Sequence, residues 1–183
     1  MNYFPHMVRI LKMDGTVFKS LAPTRLPLRY CMINVTLLGL IYGLASIQYA
    51  RTVLARQPEP AATFSPLLIL MVGVSIAFFM HSGLALFVWV FSRGIGGNPQ
   101  FMPVYLCIGM AAIGLWPLAP AASALQAGTY GAGLTVYTAL ATFYGSAVMV
   151  VAVKAASGLS WLKVSLAAAA TTIYVGCFLY LWV

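Results

Sequence analysis

Apolar residues in this chain come in runs of about 20, the length an α-helix needs to cross roughly 30 Å of hydrocarbon, and polar residues gather between the runs. The pattern predicts five helices over about 31–50, 66–92, 103–125, 134–153 and 164–183. Barrel strands would alternate apolar and polar positions over about 10 residues, and these runs do not. The expected fold class is therefore all-α: a polytopic membrane protein with five transmembrane helices. Local signals sharpen the boundaries. Ser65 before Pro66 reads as a helix cap with proline in the first turn. Gly94-Ile95-Gly96-Gly97-Asn98-Pro99 breaks the chain, and Pro117 and Pro120 kink the third helix. Gly39 and Gly43 form a G-x-x-x-G pair that allows close approach of another helix.

Residues 1–30 are the most polar stretch and read as a basic N-terminal arm ahead of a 31–183 transmembrane domain. Met7, Val8, Ile10, Leu11 and Met13 mix with Arg9 and Lys12, and Asp14-Gly15 reads as a turn. The arm is expected to lie in the membrane interface; a partly ordered tail is the alternative. It has no apolar core ahead of a cleavage site, so the first apolar run is expected to act as an uncleaved anchor. Residues 51–66 form a polar loop with Arg51, Arg56 and Glu59.

Composition narrows the class further. Charged residues make up 7% of the 183 and hydrophobic ones 62%, against about 25% charged in soluble domains. A soluble globule is excluded, and so is disorder, which needs an apolar-poor chain. The net charge of +8 is read as an orientation signal, with no nucleic-acid partner expected. With the N-terminus inside, eight basic residues fall on the inner side: Arg9, Lys12, Lys19, Arg25, Arg29, Arg93, Lys154 and Lys163. Only Arg51 and Arg56 fall outside, which supports an N-in, C-out arrangement.

Little in the chain suggests catalysis. Asp14 and Glu59 are the only acids, and the five-helix threading puts them on opposite sides of the membrane, so no enzyme is expected. Cys31, Cys107 and Cys177 are too far apart in sequence for a metal motif and read as small apolar filler. His81 stands out because ionisable groups at mid-membrane are rare. One reading is a neutral imidazole bonded to Asn34, a tyrosine hydroxyl or a carbonyl freed near Pro117. A second is a proton relay or polar-substrate group. A third is an axial ligand to haem or chlorin, with Ala77 one turn away leaving room for a flat ring. No other cofactor is expected beyond bound lipid. The candidate contacts to lipid or a partner are Arg93, Lys154, Lys163, Trp161, Gly39 and Gly43. Trp161 and Lys163 would pin the last loop to the inner interface.

Three blocks carry a family resemblance: Val88-Trp-Val-Phe-Ser-Arg-Gly-Ile-Gly-Gly97, Trp116-Pro-Leu-Ala-Pro120 and Val153-Lys-Ala-Ala-Ser-Gly-Leu-Ser-Trp-Leu-Lys163. Over roughly residues 65–183 the chain resembles the YIP1 domain family. The resemblance implies five helices, a cytosolic N-terminus and no catalytic motif. The short arm points to the bacterial relatives, hence to a bacterial cytoplasmic (inner) membrane. The expected function is a non-enzymatic membrane scaffold that binds lipids or other integral membrane proteins. Two alternatives stay open: an accessory subunit of a larger redox or light-harvesting complex, and a small transporter or channel using His81.

Overall fold

A computed structural model describes residues 3–54, 65–98 and 100–180. Among them every regular element is helical. Arg56 and Glu59 of the predicted polar loop lie outside the described residues, as do the side chains of Cys177 and Trp182.

The arm is folded. Helix α1 (Tyr3–Leu11) and helix α2 (Thr16–Leu21) form a short hairpin. Met7, Ile10, Val17, Phe18 and Leu21 recur at helical spacing and are all buried. They share one apolar core with Val88, Val104, Ile108, Val148 and Ala152. The arm therefore belongs to the same packing unit as the bundle, because its apolar stripe matches a stripe the bundle offers.

Helix α3 (Leu26–Leu54) starts five residues ahead of the predicted boundary. Pro27 sits in its first turn, where a missing N–H costs nothing, and Thr24 Oγ1 accepts from the Leu26 amide at 3.2 Å. Helix α4 (Pro66–Gly94) begins at the predicted cap, with the Leu68 amide donating to Ser65 Oγ. The two helices close on glycine. A Cβ at Gly39 would lie 2.6 Å from Val74 Cα, and one at Gly73 would lie 2.9 Å from the Gly39 carbonyl oxygen. The G-x-x-x-G pair thus serves contact within the chain.

The predicted third helix is two helices. Helix α5 (Phe101–Ala111) tightens into a 3-10 turn at Ala112–Leu115, and helix α6 (Leu118–Gln126) leaves at 72°. Pro117 and Pro120 supply no N–H to the carbonyls four residues back. The Ile113 and Trp116 carbonyls accept instead from the amides of Trp116 and Ala119, three residues on, both at 3.3 Å.

Helix α7 (Ala132–Ser157) ends at Gly158, whose φ of 68° suits the left-handed cap position that favours glycine. Helix α8 (Trp161–Tyr180) follows. Three helices are long and apolar enough to cross a membrane, over Leu26–Thr52, Pro66–Gly94 and Ala132–Ser157. The bent α5–α6 pair makes a fourth if it counts as one span. Helices of this length and apolarity mark a membrane protein. Leu67, Met71, Phe79, Leu86 and Val90 leave an apolar face exposed along the whole of α4.

Candidate functional site

The α4–α5 and α7–α8 connections meet at one end of the bundle, although about 60 residues separate them in sequence. The Asn98 amide donates to the Ser157 carbonyl at 2.9 Å, and Asn98 Nδ2 reaches the Ala156 carbonyl at 3.4 Å. Lys163 Nζ donates to the Ile95 carbonyl at 2.6 Å, and Lys154 Nζ donates to the Leu159 carbonyl. Gly97 is required by the turn that ends α4, since a Cβ there would sit 2.8 Å from the Ser92 carbonyl oxygen, and it would also press on Leu159 across the closure at 3.3 Å.

The cations at this end lie close to aromatic rings. Arg93 sits 5.5 Å from the Trp89 ring centre and Lys154 sits 5.6 Å from that of Trp161. Trp161 itself is 60% exposed, so its far face is open. The one ion pair among the described residues is Arg9–Asp14. Arg93, Lys154 and Lys163 therefore have no carboxylate partner there. Ser92 Oγ is the only buried side-chain nitrogen or oxygen in the described residues without a hydrogen-bond partner.

His81 is buried where α3, α4 and α5 meet, with 6% of its surface exposed. Its ring lies 4.3 Å from that of Tyr105, and its Nε2 is 3.5 Å from Cys31 Sγ. Gly109 makes this contact possible: a Cβ would collide with Cys31 Sγ and come within 3.1 Å of His81 Cε1. The polar neighbour of His81 is thus a thiol, while Asn34 and the carbonyl of Pro117 are engaged elsewhere. An axial ligand at Nε2 would have to displace Cys31. No group of three His, Cys, Asp or Glu residues able to hold a metal ion occurs among the described residues.

Asn34, fully buried and expected only as a partner for His81, is instead a junction between other elements. Its Oδ1 accepts from Tyr3 OH at 2.5 Å, and its Nδ2 donates to the Met110 carbonyl at 2.7 Å and contacts Met7 Sδ at 3.3 Å. Its backbone carbonyl accepts from Trp116 Nε1 at 3.1 Å. One carboxamide therefore joins the arm, α3 and the broken third helix. The available signal was an amide inside an apolar run, which demands partners when buried. Tyr137 OH satisfies the Pro117 carbonyl at 2.7 Å.

The arm's turn is held by charge. Arg9 binds Asp14 at 2.7 Å, and Asp14 Oδ1 accepts from the Thr16 hydroxyl at 2.6 Å and its amide at 2.9 Å. These bonds, Thr16 first and Arg9 next, hold the Asp14 carboxyl down at about 2.

No protein-family model matches this chain, nor does any curated protein or solved structure.

Proposed function

We propose that the protein is a non-enzymatic integral membrane scaffold, YIP1-like in kind, that engages anionic lipid headgroups through its basic end. The observation that carries this reading is the convergence of Arg93, Lys154 and Lys163, with no carboxylate partner among the described residues, on two interlocked loops flanked by Trp89 and Trp161. Tryptophan beside a cation is the arrangement that suits a headgroup region, where the ring meets acyl chain and the charge meets phosphate. Lys154 and Lys163 each donate to a loop carbonyl and leave two ammonium protons for further acceptors.

In this reading the chain crosses five times, with the α5–α6 pair as a broken third span and α8 as the fifth. The N-terminus and the basic end face the cytoplasm of a bacterial inner membrane. Arg25 and Arg29 precede or open α3 while Arg51 closes it, which supports that direction. The two loops that meet are the first and third blocks of the family resemblance, which gives those blocks a shared structural reason.

The test is a melting curve of the full chain in mild detergent with added phosphatidylglycerol or phosphatidylcholine. Phosphatidylglycerol is expected to raise Tm and phosphatidylcholine to leave it unchanged. The gain should shrink as salt rises from about 0.1 M to about 1 M, where the screening length falls from roughly 10 to 3 Å. An R93Q/K154Q/K163Q variant keeps donors for the loop carbonyls and is expected to lose the gain. Equal stabilisation by both lipids, or a gain insensitive to salt, would overturn the reading.

A further inference from the structure

The α1–α2 hairpin rises along the bundle instead of lying flat across its basic end. Tyr144 OH donates to the Leu11 carbonyl at 2.8 Å, and Gly15 packs against Val151. Tyr144 and Val151 precede Lys154 on α7 by ten and three residues, so they stand about 15 and 5 Å above it along the helix axis. The turn between Leu11 and Gly15 sits at that height. If Lys154 marks the inner edge of the hydrocarbon, as in the function proposed above, the hairpin occupies the inner leaflet to near its full depth.

The outward side of the hairpin does not suit plain hydrocarbon. It exposes Phe4 and Val8 together with Arg9, Lys12 and Lys19. Asp14 answers Arg9, and no other acid is present among the described residues to answer Lys12 or Lys19. At similar height on α7, Phe143 is 78% exposed, which sets the hydrocarbon character of the surrounding face. A membrane relieves a charge at such depth by local thinning and water defects. Snorkelling alone moves an ammonium by the length of one side chain.

We propose that the outer face of this hairpin is a phospholipid-headgroup site set below the membrane surface. Inner-leaflet anionic phosphates come down onto Lys12, with Lys19 nearer the surface, and Phe4 and Val8 contact the adjoining acyl chains. The bilayer is thinned along this one face. The site is separate from the cluster of Arg93, Lys154 and Lys163.

The experiment measures depth by quenching. Single cysteines are placed at Val8→Cys, one turn from Lys12, and at Phe143→Cys, in a full chain whose native cysteines are replaced by alanine. Each is labelled with a small fluorophore and reconstituted into phosphatidylglycerol–phosphatidylcholine vesicles. Nitroxide lipids then quench from the headgroup or from mid-chain. The ratio of headgroup to mid-chain quenching is expected to be at least about threefold higher at position 8 than at 143. Adding Lys12→Leu to the Val8→Cys chain should lower it toward the value at 143, with detergent melting confirming that both chains fold. Equal ratios at 8 and 143, or a ratio unmoved by Lys12→Leu, overturns the proposal. Headgroup quenching at both positions overturns the membrane placement and this site with it. Loss of the phosphatidylglycerol stabilisation alone would sink only the basic-end reading.

Discussion

Replacing Asn34 by alanine removes the side chain that ties the arm to the broken helix. The change deletes the Tyr3 bond at 2.5 Å and the Met110 carbonyl bond at 2.7 Å, and leaves the Trp116 bond, which uses the backbone. Side-chain hydrogen bonds between membrane helices average about 0.6 kcal/mol and reach about 1.7. Two of them give roughly 1–3 kcal/mol. The half-buried Tyr3 hydroxyl and the buried Met110 carbonyl then lose a partner, which pushes the value to the upper part of that range. Unfolding by a denaturing detergent titrated into a mild one reads the total. Amide exchange reads its location: α1 should exchange faster while α4 is unchanged. A cycle with Tyr3→Phe should show coupling of about 0.5–1.5 kcal/mol, because the two side chains share one bond. A loss below about 0.5 kcal/mol with α1 still protected would refute the junction.

Other outcomes follow from particular contacts. Gly109→Ala is expected to destabilise by about 1–3 kcal/mol, since its Cβ meets Cys31 and His81 together. Gly83→Ala, with nothing within 4 Å, should be neutral or slightly stabilising in the same melt. Gly39→Ala should cost a similar 1–3 kcal/mol, roughly, because backbone on α4 is in the way. The Asp14 turn has a pH signature. Its carboxyl sits near 2, below the ordinary 3.8, so its stabilisation is present above the ordinary value and is lost as pH falls through about 2. Thr16 amide protection, followed by exchange, should fall over that window and be absent in Asp14→Ala at all pH values.

The helical class and the bounds of α4 are local properties, and the sequence alone determined them. Apolar runs of spanning length, the Ser65 cap and the stop at Gly94 each act within a few residues, whereas α7 runs to Ser157, four residues past the predicted end at 153. Proline at 117 and 120 announced a disturbance, because the missing N–H is written in the residue type. Its size, 72°, depends on what fills the space around it: Asn34, Tyr137 and the arm. The arm was legible as amphipathic and basic. Its rise along α7 was not, since that follows from Tyr144 and Val151, more than 130 residues away. His81 was visible as an oddity, but its partners Cys31 and Tyr105 come from two other helices and need Gly109 between them. The basic loops were visible as charge, and only the tertiary structure joins Asn98 to Ser157 and Lys163 to Ile95. Periodicity and capping are short-range and can be read from spacing. Which face meets which, and which buried amide finds which carbonyl, is decided by the packing of segments distant in sequence.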